Sequence, residues 1–165
     1  MSAIRPRRSV LYMPGANERA LEKARTLPAD CLILDLEDAV APEAKAEARE
    51  RVCNAVKAGG YGPRELVIRV NGEGTEWGRD DIAAAVAAQP DAVLAPKVDS
   101  ADDIARLNAH IVKAAGAKRP ALWVMIETPL AILNIREIAA ESRRSGLAGF
   151  VMGSNDLIKD FRAEP

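Results

Sequence analysis

Residues 122–132 read LWVMIETPLAI. The apolar run has the character of a buried strand; it ends on the carboxylate of Glu127, and Thr128-Pro129 restarts the chain as a helix with proline in its first turn. Desolvating an unpaired charge is costly, so a positive group is expected to meet Glu127.

The same unit recurs along the chain. Short apolar runs at 9–13, 31–36, 66–70, 92–95, 122–126 and 148–152 alternate with segments of helical periodicity. Their near-continuous hydrophobicity suits parallel strands covered on both faces. Asn17 is placed to cap a first helix, and Pro42 to open a second whose apolar face includes Ala48, Val52, Ala55 and Val56 and which Gly59-Gly60 ends. Further helices are predicted over 77–88, 101–114 and 130–141, and no repeat beyond the strand-helix unit and no linker interrupts the chain. Residues 1–165 therefore read as a single domain or part of one.

Six such units fit either an open doubly wound sheet or the first six of the eight units of a TIM barrel. Polar groups separate the two. Asp35, Glu37 and Asp38 follow the second strand, Arg69 and Asn71 the third, Lys97 the fourth, Glu127 the fifth, and Asn155 and Asp156 the sixth. In a barrel these ends converge on one mouth. An open sheet concentrates its site at one switch point and usually carries a glycine-rich phosphate loop after its first strand, where MPGANERA has a single glycine. The barrel is the expected fold.

Composition narrows the function. The 165 residues are 48% hydrophobic and 28% charged, enough apolar material for one sizeable core. Lys and Arg number 23 against 24 Asp and Glu, a net charge of −1 that makes no electrostatic case for nucleic acid or an anionic membrane and favours small-molecule partners. No apolar stretch approaches the roughly 18 residues of a membrane span. The N-terminal MSAIRPRRSV lacks the apolar segment of a secretion signal, so a cytoplasmic location is expected. Cys31 and Cys53 read as core thiols, and a single histidine, His110, argues against a histidine zinc site or a catalytic triad.

Glu127 and Asp156, each just past a strand, place two carboxylates at the mouth and leave coordination positions for water and substrate. That suits Mg²⁺, which takes oxygen ligands in octahedral geometry and is often held by one or two carboxylates. The alternative is structural: Glu127 pairs with Arg69 or Lys97, and Asp156 caps the following helix. Arg69 is placed to grip a substrate carboxylate, to neutralise Glu37, or to do both at once. Backbone N–H groups around Pro14-Gly15 and Gly153-Ser154 are placed to hold anionic oxygens, Lys97 either to add positive potential or to form a salt bridge, and Arg7, Arg8 and Arg19 to meet phosphates of a cofactor-sized ligand, with a solvated tail as the other reading of Arg5, Arg7 and Arg8. Trp77 and the loop 72–78 read as packing and as a cover for substrate, respectively.

The segments SVLYMPGANERALEKA, ADCLILDLEDAVAPEAKAEAR, VIRVNG, APKVDSADDI, MIETPLAILNIREIA and GFVMGSNDL together resemble the HpcH/HpaI aldolase and citrate lyase β-subunit family, in its CoA-ester lyase branch. The resemblance implies a TIM barrel, Mg²⁺ held by Glu127 of the ETP motif and Asp156 of the NDL motif, and Arg69 of RVN contacting a 2-oxoacid. It implies that Glu37 and Asp38 organise this arginine and the metal's waters. The implied reaction is retro-Claisen cleavage of a citryl-CoA- or malyl-CoA-like 3-hydroxyacyl thioester to acetyl-CoA and a 2-oxoacid. A free 2-oxoacid aldolase, a malyl-CoA thioesterase and a non-catalytic subunit of a lyase complex are the alternatives. The aldolase branch has a histidine after the second strand, where DLEDAVAP has none. Partners implied are an acyl-CoA or acyl-carrier-protein thioester, a 2-oxoacid, further copies in a trimer or hexamer, and subunits of a lyase complex. Complete members continue through two more barrel units to a catalytic aspartate that reaches a neighbouring subunit. The chain is accordingly expected to be a fragment or truncated form with exposed strand edges.

Overall fold

The computed structural model describes residues 5–116 and 118–164; of the segment read for a signal, residues 1–4 lie outside the described residues. The elements run β1 (Val10–Pro14), α1 (Glu18–Ala24), β2 (Cys31–Asp35), α2 (Lys45–Ala58), β3 (Glu65–Arg69), α3 (Gly78–Ala88), β4 (Ala92–Ala95), α4 (Ala101–Ala114), β5 (Ala121–Ile126), α5 (Pro129–Leu133), α6 (Ile135–Ala140), β6 (Leu147–Met152) and α7 (Ser154–Phe161). All neighbouring strands are parallel and the sheet order is β1-β2-β3-β4-β5-β6. A doubly wound sheet reverses its strand order at a switch point; this one never does, which is the order of a β/α barrel.

Local chemistry sets the helix starts. Asn17 accepts a hydrogen bond from Ala20 N at 3.0 Å, Thr128 Oγ1 accepts from Ala131 N at 3.0 Å with Pro129 in the first turn, and Ser100 forms a reciprocal capping box with Asp103. The helix predicted over 130–141 is two helices. Asn134 (φ −96°, ψ 6°) leaves the helical conformation and donates from Nδ2 to Asp99 O at 2.8 Å, anchoring the break to the loop after β4. Pro42 lies in a short 3-10 turn, Pro42–Ala44, that leads into α2.

Alternation along the strands makes two apolar layers. Leu32, Leu34, Ile68, Val93, Val124 and Ile126 pack outward against the helices. Cys31, Ile33, Val67, Leu94, Trp123 and Met125 form the inner cluster. Each fully buried Leu or Ile contributes about 1.5–3 kcal/mol. Both cysteines are buried free thiols, and burial pushes the Cys31 thiol up to about 12. Gly149, beside a register irregularity in β6, leaves room for the Trp123 indole: a Cβ there would stand 3.3 Å from the ring.

Arg7 closes the floor. Its guanidinium lies 4.9 Å from the Trp123 ring centroid and bonds both oxygens of Glu65, at 2.5 and 2.8 Å. Arg8 pairs with Asp30 at 2.8 Å. Both arginines therefore sit at the N-terminal ends of the strands, engaged by carboxylates, and the expectation that they meet phosphates at the mouth is corrected. The outer strands expose apolar side chains, Val10, Leu11 and Tyr12 on β1 and Phe150 and Met152 on β6. No helix among the described residues is long and apolar enough to cross a membrane.

Candidate active site

The C-terminal ends of β2, β3, β5 and β6 deliver the polar groups. Asp35 and Arg69 are register partners on β2 and β3, so their side chains share one face. Arg69 donates from Nε to Asp35 Oδ1 at 2.7 Å and from Nη2 to Asp35 Oδ2 at 2.6 Å, a bidentate pair with both residues buried. Asp35 also accepts from Glu37 N at 2.9 Å and Ala39 N at 3.1 Å, which folds the following turn around it. Nη1 of Arg69 lies 2.8 Å from Glu37 Oε2 and 3.2 Å from Asp38 Oδ2, and the guanidinium stands 5.1 Å from the Tyr12 ring centroid. Burial opposes the arginine's charge, but the Asp35 hydrogen bonds and the three carboxylates outweigh it and hold its pKa above the ordinary value. Arg69 is thus permanently cationic.

Asp35 was expected only as a polar strand end, with Glu37 and Asp38 organising the arginine. The bidentate partner is Asp35; Glu37 is a close ionic neighbour, and Asp38 is a largely exposed outer contact. Burial pushes Glu37 up to about 7, against the pull of Arg69 and with the help of Asp38, Glu127 and Asp35. Its Oε2 has the ionic contact to Arg69 but no directed hydrogen bond.

Glu127 is 1% exposed. Its Oε1 accepts from the backbone N–H of Lys97 at 2.7 Å, while its buried Oε2 has no hydrogen-bond partner. Burial raises its pKa, with the Lys97 N–H as the main opposing influence. Asp156 Oδ1 accepts from Lys97 Nζ at 2.8 Å, and the same Nζ stands 3.5 Å from Glu127 Oε1. One cation therefore reaches both carboxylates. Glu127's positive partner is Lys97 and not Arg69. Asp156 does not cap α7, whose N-cap is Gly153; its carboxylate turns to the lysine.

These donors fit Mg²⁺. They are hard oxygens, Glu127 Oε1 and Asp156 Oδ1 both lie within reach of one cation, and Glu127 Oε2 is buried with neither a hydrogen bond nor an ionic partner. Among the described residues no third His, Cys, Asp or Glu completes a cluster, so water and substrate would fill the other positions.

Three of the backbone positions expected to bind anions do not offer a free N–H. Gly15 N donates to Asp35 O at 2.8 Å and Gly153 N to Ile126 O at 3.0 Å, so neither is available to an anion, and Pro14, the last residue of β1, has no N–H. The two glycines serve clearance instead: a Cβ on Gly15 would stand 2.6 Å from Asp35 O. Ser154 heads α7, whose first-turn N–H groups have no acceptor within the helix.

Asn71, one of the polar groups expected at the end of the third strand, is buried and donates from Nδ2 to Leu36 O at 2.9 Å and Asp81 Oδ2 at 2.6 Å; Asp81, which was not anticipated, is held in turn by Arg49 Nε at 2.8 Å. Lys45, buried, donates to the Leu36 and Glu37 carbonyls at 3.0 and 2.9 Å, with its ammonium 5.2 Å from the Trp77 ring centroid. Position i+3 or i+4 after a helix start was the available signal for Asp81. His110, on α4, lies 3.1 Å from the Glu73 carboxylate.

The profile of the HpcH/HpaI aldolase/citrate lyase family matches residues 8–165. The chain belongs to this family. The (3S)-malyl-CoA thioesterase of Cereibacter sphaeroides is 49% identical over 155 residues, covering 94% of this chain and 51% of the relative. Citrate lyase subunit beta of Escherichia coli is 38% identical over 165 residues, covering 97% of this chain and 54% of the relative. The fold is similar to that of protein CitE from Mycobacterium tuberculosis in complex with magnesium, acetoacetate and coenzyme A (TM-score 0.72, 29% identity, 97% of this chain and 54% of that one). The chain spans about half the length of the curated relatives it matches. The six-unit barrel order and the family assignment agree with the expectations from sequence.

Proposed function

We propose that this chain carries the metal- and oxoacid-binding centre of a Mg²⁺-dependent carbon–carbon lyase of the cytoplasm, one that acts as a homo-oligomer on CoA or acyl-carrier-protein esters of the malyl-CoA and citryl-CoA type. One observation carries the reading: the buried Glu127 carboxylate keeps one oxygen, Oε2, without a partner, while its other oxygen, Oε1, lies 3.5 Å from the same ammonium that bonds Asp156 Oδ1 at 2.8 Å. Family membership supports it, as do relatives named for malyl-CoA and citrate lyase chemistry and a structural neighbour holding magnesium, acetoacetate and coenzyme A.

Mg²⁺, when bound, supplies Lewis acidity to the 2-hydroxyacid end of the substrate. Glu127 and Asp156 would hold it. Arg69, fixed by Asp35 and unable to lose its proton, presents positive charge where oxygen charge develops and orients the substrate carboxylate. Glu37, with a pKa of about 7, is the group suited to take the proton of the substrate hydroxyl. As that oxygen becomes a carbonyl, the C2–C3 bond breaks and its electron pair passes to the thioester as an enolate, which takes a proton at C2 to give acetyl-CoA.

A second reading, hydrolysis of the thioester, is favoured by the 49% identity to a (3S)-malyl-CoA thioesterase. Product analysis separates them. Malyl-CoA incubated with the protein and Mg²⁺ gives acetyl-CoA and glyoxylate by cleavage, or free CoA and malate by hydrolysis. Turnover of free hydroxyoxoacids with no thioester consumed would reject both.

A further inference from the structure

Lys97 is the residue in the mouth whose geometry the proposed chemistry does not use. It is one of three described non-glycine residues at positive φ, at +54°, a conformation that lysine adopts at a cost and that persists where the surroundings hold it. Here the left-handed turn aims two groups of one residue at the same place. The backbone N–H meets Glu127 Oε1 at 2.7 Å, and the side chain folds back so that Nζ reaches Asp156 Oδ1 at 2.8 Å and comes within 3.5 Å of Glu127 Oε1. Glu127 is fixed through its backbone partner with Oε2 left over, and Asp156 is drawn in by the ammonium.

We infer that Lys97 is a built-in counter-ion of the metal site: its ammonium occupies the cation position between Glu127 and Asp156 in the metal-free protein and is displaced when Mg²⁺ binds, while its backbone N–H goes on positioning Glu127. The inference rests on the magnesium reading. Two like charges brought together without a cation repel one another across a site of low dielectric, so a metal-free mouth needs a substitute cation to keep both ligands in place. The lysine side chain is suited to leaving: it is 47% exposed, whereas Arg69 is buried in bidentate grip. A cleft lined by Gly72, Glu73, Thr75, Asp103 and Arg106 opens beside it and gives the released side chain room; its two acids are already paired with Arg106. Lysine and metal then compete, and the apparent affinity for Mg²⁺ is set partly by how firmly the ammonium holds its place.

Lys97→Met removes the charge at similar size, and Lys97→Gly removes it while suiting the left-handed backbone, so a folding defect of the first does not obscure the result. Mg²⁺ binding to the full chain is measured by titration calorimetry, with thermal melts in EDTA and in Mg²⁺. Both variants are expected to bind Mg²⁺ more tightly, on the order of three- to tenfold, the range of a partly exposed ion pair to a higher bound set by the buried partner. They are also expected to melt lower than the wild type in EDTA and to gain more from Mg²⁺. Unchanged or weaker Mg²⁺ binding in a folded Lys97→Gly protein, with Glu127→Gln still abolishing binding, overturns the inference and spares the metal site. Mg²⁺ binding absent from the wild type, or unaffected by Glu127→Gln, overturns the metal reading and the inference together.

Discussion

Gly153 and Glu127 share one small volume: a Cβ on Gly153 would overlap the Cβ of Glu127 and stand 2.9 Å from its unpartnered Oε2. The residue after β6 is small because the residue after β5 is a buried acid. Gly153 has a negative φ, −90°, so alanine there meets a steric problem and no backbone one. Gly153→Ala is expected to destabilise by about 1–3 kcal/mol, the cost of overpacking. Its Mg²⁺ affinity should fall about tenfold or more as Glu127 is turned. Urea unfolding and metal calorimetry read the two effects; normal metal binding would place the Glu127 carboxylate outside the metal site.

Glu127→Gln keeps an oxygen for the Lys97 N–H and removes a charge that burial disfavours. Asp156→Asn releases the Lys97 ammonium. Each variant is expected to remain folded, with the metal-free melting temperature of Glu127→Gln not below that of the wild type, and to raise the Mg²⁺ concentration needed for oxoacid binding about tenfold or more. Calorimetry with oxoacid, Mg²⁺ and EDTA checks this. Oxoacid binding indifferent to EDTA in the wild type would defeat the magnesium assignment.

Arg69→Lys should cost both stability and function. One ammonium cannot reproduce the parallel bonds to Asp35 at 2.6 and 2.7 Å while facing Glu37. A loss of about 1–3 kcal/mol is expected from the buried carboxylate oxygen left unsatisfied, together with a fall in kcat/KM of about a hundredfold or more. A destabilised variant with wild-type kinetics would make Arg69 structural only.

Glu37 should write its burial into the pH dependence of folding. Its folded pKa, about 7, lies above the ordinary 4.5, so the native state holds a proton that the unfolded chain gives up between those values. Below about pH 4.5 the carboxyl is protonated in both states and carries no penalty; as pH rises to about 7 its contribution to stability declines and then levels off. Glu37→Gln, which mimics the protonated form, should therefore gain on the wild type from pH 5 to pH 8 in urea unfolding. Parallel stability curves would contradict this.

What could be read from sequence was whatever lies at the end of an apolar run. Arg69 and Glu127 announce themselves because a charge closing a buried strand is unusual, Asp156 because it follows the sixth apolar run within a few residues, and the six strands announce themselves by the runs. Pairing across strands was hidden. Asp35 grips Arg69, in preference to the nearer-looking Glu37 and Asp38, because it is the register partner of Arg69 and has the same facing; register is a property of two strands and is written in neither. Arg7 and Arg8 were misread although their place was available, since residues preceding β1 belong to the N-terminal end of a parallel barrel. Asn134 breaks its helix through a bond to Asp99 O, a partner 35 positions away that no local periodicity discloses. The left-handed turn at Lys97 is equally a product of its surroundings, as lysine has no preference for it.

Strand β5 turns Trp123, Met125 and Glu127 to the same side, and each meets a cation: Arg7 over the indole at 4.9 Å, Arg69 against the thioether sulfur at 3.6 Å, and Lys97 at the carboxylate. Read upward, the ligands pass from a π face through a soft sulfur to a hard oxygen. The soft level is already filled by a guanidinium that cannot leave, and Met125 is buried beneath it. The donors left at the carboxylate level are oxygens, a set that suits a hard cation and disfavours copper(I), which takes sulfur ligands.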